Sequence, residues 1–385
     1  MKLDFKLLCS RCDETVDPSG TPGVCGKCGS PLLASYPLNE IAPRFKLETL
    51  QRRAWNMWRY REVMPLAEGE HPLTLGEGGT PLLSLEALAS KADVGELLVK
   101  EEGLNPTASF KARGMSAAVT RAAAGGAPGF VAPSAGNAGA ALSAYGARAG
   151  LPVRVYVPKD TPPAIVAECR ALGAVVVLIN GVITDCGVEA RNWSEKTGYF
   201  DVSTLREPYR IEGKKTMGYE LFEQLDSSLP DAIIYPTGGG TGLIGMWKAC
   251  EEMETLGWME RGRRPRMYVV QAAGCAPIVR AWQAGAEVAT RWDKPETSAG
   301  GLRVPSALGD FLILRAVNES GGAAVAVSDS ELLRGAKELQ HHGIGACPEG
   351  GATLAALYRL RTDGHIGRKD RVVCFNTGAL LKYLS

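Results

Sequence analysis

Three segments of the chain join an apolar run to a helix through small residues, and each carries groups that could do chemistry. GGGTGLIG (Gly238–Gly245) lies between the apolar run AIIYP and the helical pattern LIGMWKAC. A glycine-rich turn there exposes backbone N–H groups at the positive end of a helix, which suits a phosphate. Gly240, Gly242 and Gly245 even read Gly-x-Gly-x-x-Gly, but a dinucleotide site also needs an acidic residue about 20 positions on. The next strand, MYVVQAAG, ends instead in Gln271, Ala272 and Ala273. With no Gly-Lys-Ser/Thr either, a small phosphate-bearing cofactor fits the loop better than a nucleotide. SFKARGM (Ser109–Met115) puts Lys111 in the first turn of a helix beside Phe110. The helix dipole disfavours a cation there and so favours the neutral, nucleophilic amine, although a solvated helix lysine is the plainer account. PSAGNAGA (Pro133–Ala140) could hold a carboxylate on Ser134, Gly136, Asn137 and neighbouring amides, where a simply capped helix start is the alternative. A phosphate, an amine-reactive carbonyl and an amino-acid carboxylate together describe pyridoxal phosphate with an amino-acid substrate.

A fourth set of residues reads differently. Cys9, Cys12, Cys25 and Cys28 form C-x2-C-x12-C-x2-C, with Gly26 and Gly29 available for a tight knuckle. Four thiolates at this spacing suit one tetrahedral zinc and leave no open position for water, so the metal's role is structural. The other six cysteines are scattered singly through helical and apolar segments and read as small core hydrophobes.

The elements that must position these groups alternate. LLVK, GFVAP, VRVYVP, AVVVLI, AIIYP, MYVVQA, AAVAVS and RVVCF are short apolar runs, and many are followed by helical patterns. That alternation predicts parallel sheet covered by helices, an α/β fold. Residues 1–34 form the cysteine module and 35–75 a connector. Residues 76–385 form the main body, with a smaller domain inserted at approximately 115–205. In the connector, LQRRAWNMWRYREVMP interleaves arginines with Trp55, Trp58 and Tyr60. It reads as an amphipathic helix docking its tryptophan face rather than as a nucleic-acid surface.

The 385 residues carry 43 Lys+Arg against 42 Asp+Glu, a balance that argues against nucleic acid or an anionic membrane as partner. No apolar run approaches the roughly 18 residues of a membrane span. The start, MKLDFKLLCSRC, lacks a secretory apolar segment, so the cytoplasm is expected. Of the four histidines, His71, His341, His342 and His365, none stands in a cofactor segment, and His341 and His342 sit at a helix end.

GEGGTPL (Gly76–Leu82), NPTASFKARG (Asn105–Gly114), SAGNAGA, EPYRIEGKKT (Glu207–Thr216), PTGGGTGL (Pro236–Leu243) and FNTGALLKY (Phe375–Tyr383) together resemble the threonine synthases. These belong to a group of pyridoxal phosphate enzymes that includes serine/threonine dehydratases and cysteine synthases. The likeness covers essentially the whole chain, including the cysteine module. It implies a two-domain, fold-type II enzyme with parallel-sheet domains and an N-terminal zinc ribbon, as a homodimer. It implies a Schiff base on Lys111, next to Phe110, and the cofactor phosphate on Gly238, Gly239, Gly240, Thr241 and Gly242. Asn137 would meet the ring hydroxyl and Thr377 the ring nitrogen. Ser134, Ala135, Gly136, Asn137 and Ala138 would hold the substrate carboxylate, and Arg210, Lys214 and Lys215 its phosphate. The implied reaction turns O-phosphohomoserine and water into threonine and phosphate.

Three departures stand out, and the first two bear on the substrate more than on the cofactor. Ala112 stands where many synthases have Asp, Glu207 where Asn-Pro is common, and FNTGALLKY replaces a Thr-Gly-His-Gly ending. The alternatives are a serine/threonine dehydratase, a cysteate-synthase-like enzyme using phosphoserine, or a binding protein whose ribbon recruits a partner. A dehydratase of unphosphorylated substrates has no need of the Arg210–Lys215 cations, and a binding module has no need of Lys111.

Overall fold

The structure is a computed structural model and describes residues 3–384; the first two residues of the expected 1–34 module lie outside them. The chain opens with β1 (Lys6–Cys9), β2 (Thr15–Val16) and β3 (Leu32–Ser35), the short helices α1 (Leu38–Ile41) and α2 (Leu47–Leu50), and a 3-10 helix over Met57–Val63. β4 (Leu82–Ser84), α3 (Glu86–Ala92) and β5 (Glu96–Glu101) follow. Next come α4 (Lys111–Ala124), β6 (Phe130–Pro133), α5 (Asn137–Ala149), β7 (Val153–Pro158), α6 (Pro163–Ala171), β8 (Val175–Ile179), α7 (Ile183–Thr197) and β9 (Phe200–Asp201). α8 (Tyr209–Gln224) leads to β10 (Ala232–Pro236), α9 (Thr241–Thr255), β11 (Arg266–Ala272), α10 (Pro277–Gln283) and α11 (Asp310–Glu319). β12 (Ala324–Val327), α12 (Asp329–His341), α13 (Pro348–Thr362) and β13 (Arg371–Asn376) complete it. Among the described residues, no helix is long and apolar enough to cross a membrane.

The chain divides into two compact units: Met1–Gly78 with Asn105–Thr216, and Gly79–Leu104 with Met217–Ser385. The expected insertion at approximately 115–205 lies within the second segment of the first unit.

The first unit holds a parallel four-stranded sheet, β8-β7-β6-β9, and a small antiparallel sheet, β2-β1-β3, under the cysteine module. Val131 and Tyr156 of the parallel sheet pack on Cys186 and Ala190 of α7. At the centre of the unit is Glu77, which is fully buried. Its carboxylate accepts from Trp58 Nε1 at 2.8 Å, the Leu75 amide at 2.9 Å, and the hydroxyls of Ser116 and Tyr145. The connector therefore docks differently from the expected amphipathic helix. Met57–Val63 is a 3-10 segment kinked at Tyr60, the buried Trp58 donates its indole N–H to Glu77, and Trp55 remains 42% exposed beneath Arg59.

α4 and the first two turns of α8 meet backbone to backbone within this unit. A Cβ on Gly213 would stand 2.0 Å from the Arg113 carbonyl oxygen. A Cβ on Gly114 would stand 2.9 Å from Lys214 Cε and 3.0 Å from the Arg210 carbonyl. Only glycine allows so close an approach.

The second unit is built on the six-stranded sheet β12-β11-β10-β13-β5-β4, parallel except for β4. Strands buried on both faces read as continuous apolar runs, which is why the sequence shows AIIYP and RVVCF rather than alternation. Leu97, Val99, Ile234, Val270 and Val372 pack with Leu332, Leu339, Leu354 and Leu357 of α12 and α13. A buried ion pair closes the β4 side: Lys100 Nζ donates to Glu220, the Thr80 carbonyl and Gln224, each at 2.8 Å. At the C-terminal ends of β5 and β13, Asn376 Nδ2 donates to both oxygens of Glu101 at 2.8 and 2.9 Å. Burial pushes the Glu101 carboxyl up to about 7.

Two outcomes follow. Gly213→Ala forces a methyl into the Arg113 carbonyl and costs on the order of 1–3 kcal/mol, read from denaturant midpoints. Glu101 holds its proton more tightly folded than unfolded, so its contribution to stability is full below the ordinary carboxyl value and is lost as pH rises through about 7. Unfolding measured from pH 4 to 8 is therefore expected to show Glu101→Gln gaining on the wild type as pH rises across that window.

Candidate active site

Lys111 begins α4, and the chain enters it through two consecutive left-handed residues, Thr107 (φ 56°) and Ala108 (φ 51°). Non-glycine residues rarely hold that conformation, and strain of this kind concentrates at functional positions. Ser109, between them and Lys111, is fully buried, and its hydroxyl has no hydrogen-bond partner among the described residues. Lys111 Nζ stands 4.5 Å from the centre of the Phe110 ring, and Lys214 Nζ stands 4.1 Å from the same centre. One aromatic ring thus serves two ammonium groups, one from each of the helices joined at Gly114 and Gly213.

α5 packs on α4 and on the Pro106–Ala108 turn, which brings the SAGNAG segment alongside the Lys111 helix. Ser134 Oγ accepts from the amides of Gly139 at 2.8 Å and Gly136 at 3.3 Å, so it shapes the helix start. Asn137 is the first residue of α5 and is half-buried, as are Ala135, Gly136 and Ala138.

The basic cluster on α8 is almost wholly buried and is not uniform. Lys215 forms an ion pair with Glu212 at 2.6 Å, both fully buried, and stands over Tyr36, whose hydroxyl also donates to Glu212. Its charge is balanced by the protein itself. Arg210 donates to the Val202 carbonyl at 2.9 Å and to Thr204 at 3.3 Å, while its Nε has no partner among the described residues. Burial pulls the Arg210 guanidinium below its ordinary value, with Glu207 opposing. Glu207 accepts from the amides of Tyr209 at 2.7 Å and Arg210 at 3.0 Å, and burial pushes its carboxyl up to about 7 against the Arg210 charge. It caps the start of α8, which gives this departure a role that needs no substrate.

In the second unit, β10 and β13 are adjacent parallel strands, so the Gly238–Gly242 loop and Thr377 leave the same edge of the sheet. The loop has no room for side chains. A Cβ on Gly238 would stand 2.3 Å from the Gly301 carbonyl oxygen, and one on Gly240 (φ 78°) would stand 2.3 Å from Ile313. Gly242 is closed off in the same way by Tyr235. With Thr241 opening α9, this backbone cradle at a helix N-terminus fits a phosphate. Thr377 is 6% exposed. Within the second unit, the cradle supplies the backbone donors that the phosphate of pyridoxal phosphate requires.

The four cysteine sulfurs lie within 4.8 Å of one another, with Cys9–Cys28 at 3.4 Å and Cys12–Cys25 at 3.7 Å. Tetrahedral zinc with Zn–S of about 2.3 Å sets its sulfurs about 3.8 Å apart, so the quartet fits that ion.

Sequence patterns held no sign of Glu77, Glu101 or Ser109 as buried polar positions. Glu77 and Ser109 stand inside quoted motifs, so a charged or hydroxylated residue among small ones was the available signal.

A family model described as pyridoxal-phosphate dependent enzyme matches residues 73–378. The threonine synthase of Methanosarcina acetivorans is 36% identical over 380 residues, 98% of this chain and 92% of that one. That of Methanocaldococcus jannaschii is 34% identical over 376 residues, covering 97% and 92%. Among solved structures, maize serine racemase aligns with a TM-score of 0.68 at 21% identity, over 78% of this chain and 88% of that one. The processed form of threonine deaminase isoform 2 from Solanum lycopersicum aligns at 0.66 and 22% identity, over 78% and 83%. The chain belongs to the pyridoxal-phosphate dependent enzymes and, within them, to the threonine synthase family.

Proposed function

We propose that this chain converts O-phospho-L-homoserine and water to L-threonine and phosphate in the cytoplasm, as a homodimer with one structural zinc per chain. The observation that carries the choice of substrate is the buried cationic face of α8, Arg210 and Lys214, locked by glycine contacts against the helix of Lys111. A buried guanidinium is costly without full pairing, and Arg210 Nε has no partner among the described residues. A phosphorylated substrate supplies that anion; serine or threonine does not.

Bound pyridoxal phosphate would supply an electron sink that makes the α and then the β proton of the substrate removable. Lys111 would hold its carbonyl carbon, the Gly238, Gly239, Gly240, Thr241 and Gly242 backbone its phosphate, Asn137 its ring oxygen and Thr377 its ring nitrogen. Once released by substrate, the Lys111 amine takes the α proton and later returns it. The Phe110 ring meets both that amine and Lys214. The Ser134–Ala138 amides orient the substrate carboxylate. Arg210 and Lys214 hold the phosphate as it leaves the γ carbon, with Lys215 and Glu212 fixing the helix that carries them.

The test uses purified, cofactor-loaded protein with O-phosphohomoserine and, in parallel, O-phosphoserine, threonine and serine. The expected result is phosphate and threonine in equal amounts, falling by at least about 1,000-fold in Lys111→Ala. Lys214→Met is expected to raise KM for the phosphorylated substrate. Keto acid from threonine or serine with O-phosphohomoserine inert would move the chain to the dehydratases. Elemental analysis is expected to find one zinc per chain, lost on replacing Cys9 and Cys12 by serine.

A further inference from the structure

The cysteine module packs on the start of α8, the helix that carries Arg210 and Lys214. β1 and β3 run antiparallel, with Cys9 opposite Leu32 and Lys6 opposite Ser35. Cys9 therefore stands at one end of this ladder, while Phe5 and Tyr36 flank the other, their rings 5.6 Å apart. Phe5 meets the Tyr209 ring edge-on at 6.4 Å. The Tyr36 hydroxyl donates to Glu212 at 2.8 Å, and Lys215 Nζ stands 4.2 Å from the centre of the Tyr36 ring. One tyrosine thus holds both members of the buried Glu212–Lys215 pair, the anion by its hydroxyl and the cation by its face.

The segment between Cys12 and Cys25 adds contacts of its own. The Tyr209 hydroxyl donates to the Pro18 carbonyl at 3.2 Å. The Gly20 carbonyl lies against the end of α4, where a Cβ on Gly125 would stand 2.0 Å from its oxygen. A metal held by all four sulfurs would tie the two ends of this segment together, and its loss would return conformational freedom to the segment. At 3.6 residues per turn, Tyr209, Glu212 and Lys215 lie on one side of α8, and Arg210 and Lys214 on the other. That second side meets α4, since a Cβ on Gly114 would touch both Lys214 and Arg210. The module therefore backs a helix whose far side presents the cations.

We propose that the cysteine module positions the substrate-phosphate cations through α8: metal at the four cysteines and phosphate at Arg210 and Lys214 each tighten the binding of the other, with Tyr36 as the positioning residue between them. Coupling between two binding sites is reciprocal, and amounts typically to about 5- to 150-fold. No covalent bond changes. The coupling rests on the proposed placement of the substrate phosphate at Arg210 and Lys214.

The test is the zinc affinity of cofactor-loaded protein, measured by competition with a chromogenic chelator, without and with saturating inorganic phosphate. Binding of the phosphate itself is followed by calorimetry. Phosphate is expected to tighten zinc at least about 5-fold, and this gain is expected to vanish in Lys214→Met. Tyr36→Phe keeps the ring and all four cysteines. It is expected to lose most of the gain and to raise KM for O-phosphohomoserine by a similar factor while kcat holds. Phosphate that binds through Lys214 yet leaves zinc affinity unchanged overturns the coupling, as does a Tyr36→Phe protein whose gain and KM match the wild type. If the metal-free chain does not refold, the KM and kcat of zinc-loaded Tyr36→Phe decide alone. Phosphate binding that is absent, or indifferent to Lys214→Met, would instead sink the placement of the substrate phosphate on α8, and the coupling with it.

Discussion

The contact that most of the first unit depends on has no side chain in it. At Gly213 and Gly114, α8 and α4 approach until one backbone touches the other, and nothing larger than hydrogen fits between Gly213 and the Arg113 carbonyl. This closeness lets Lys214 reach the Phe110 ring that Lys111 also uses. It also removes Arg210, Lys214 and Lys215 from water and so creates a demand for counter-charge. Glu212 meets that demand for Lys215, and Glu207 does so in part for Arg210. Arg210 Nε keeps no partner among the described residues, and that is the electrostatic argument for an anionic substrate. A helix pair spaced by ordinary side chains would leave the same cations solvated and their charge screened.

Glycine-rich loops raise the opposite difficulty, since they offer backbone to a ligand but have no side chains to hold themselves in place. Buried charge does the holding. Glu77 gathers four donors from the 3-10 helix, α4, α5 and its own loop. Glu220 accepts from the Gly79 amide and from Lys100, whose ammonium also fixes the Thr80 carbonyl. Such pairs add little net stability over a well-packed apolar alternative, but breaking one strands a buried charge and costs about 3–5 kcal/mol. Their value here is directional: hydrogen bonds fix a loop where apolar packing would let it slide.

The patterns that sequence alone revealed are those carried by local spacing. The cysteine quartet, the glycine loop before α9 and the alternation of apolar runs with helices each depend on residues close together in the chain. The helix starts came within a residue or two, as at Lys111, where the small residues before it signal a break. The connector misled because interleaved aromatic and basic residues read as one amphipathic helix. Trp58 instead follows its indole N–H to Glu77, a partner 19 positions away.

Residue types and local spacing thus determined the α/β fold, the cofactor class, the cysteine quartet and the candidate lysine, because helix dipoles, turns and chelate spacing act over a few residues. Tertiary structure alone decided what each buried cation of α8 meets. Lys214 and Lys215 are neighbours of one type in one helix, yet one faces Phe110 and the other is paired with Glu212. It also decided that Glu349, in an ordinary helix-start context, is a buried carboxyl that accepts from the Gly301 amide. Burial and counter-charge are properties of the packed chain, set in large part by partners far away in sequence, and no local pattern encodes them.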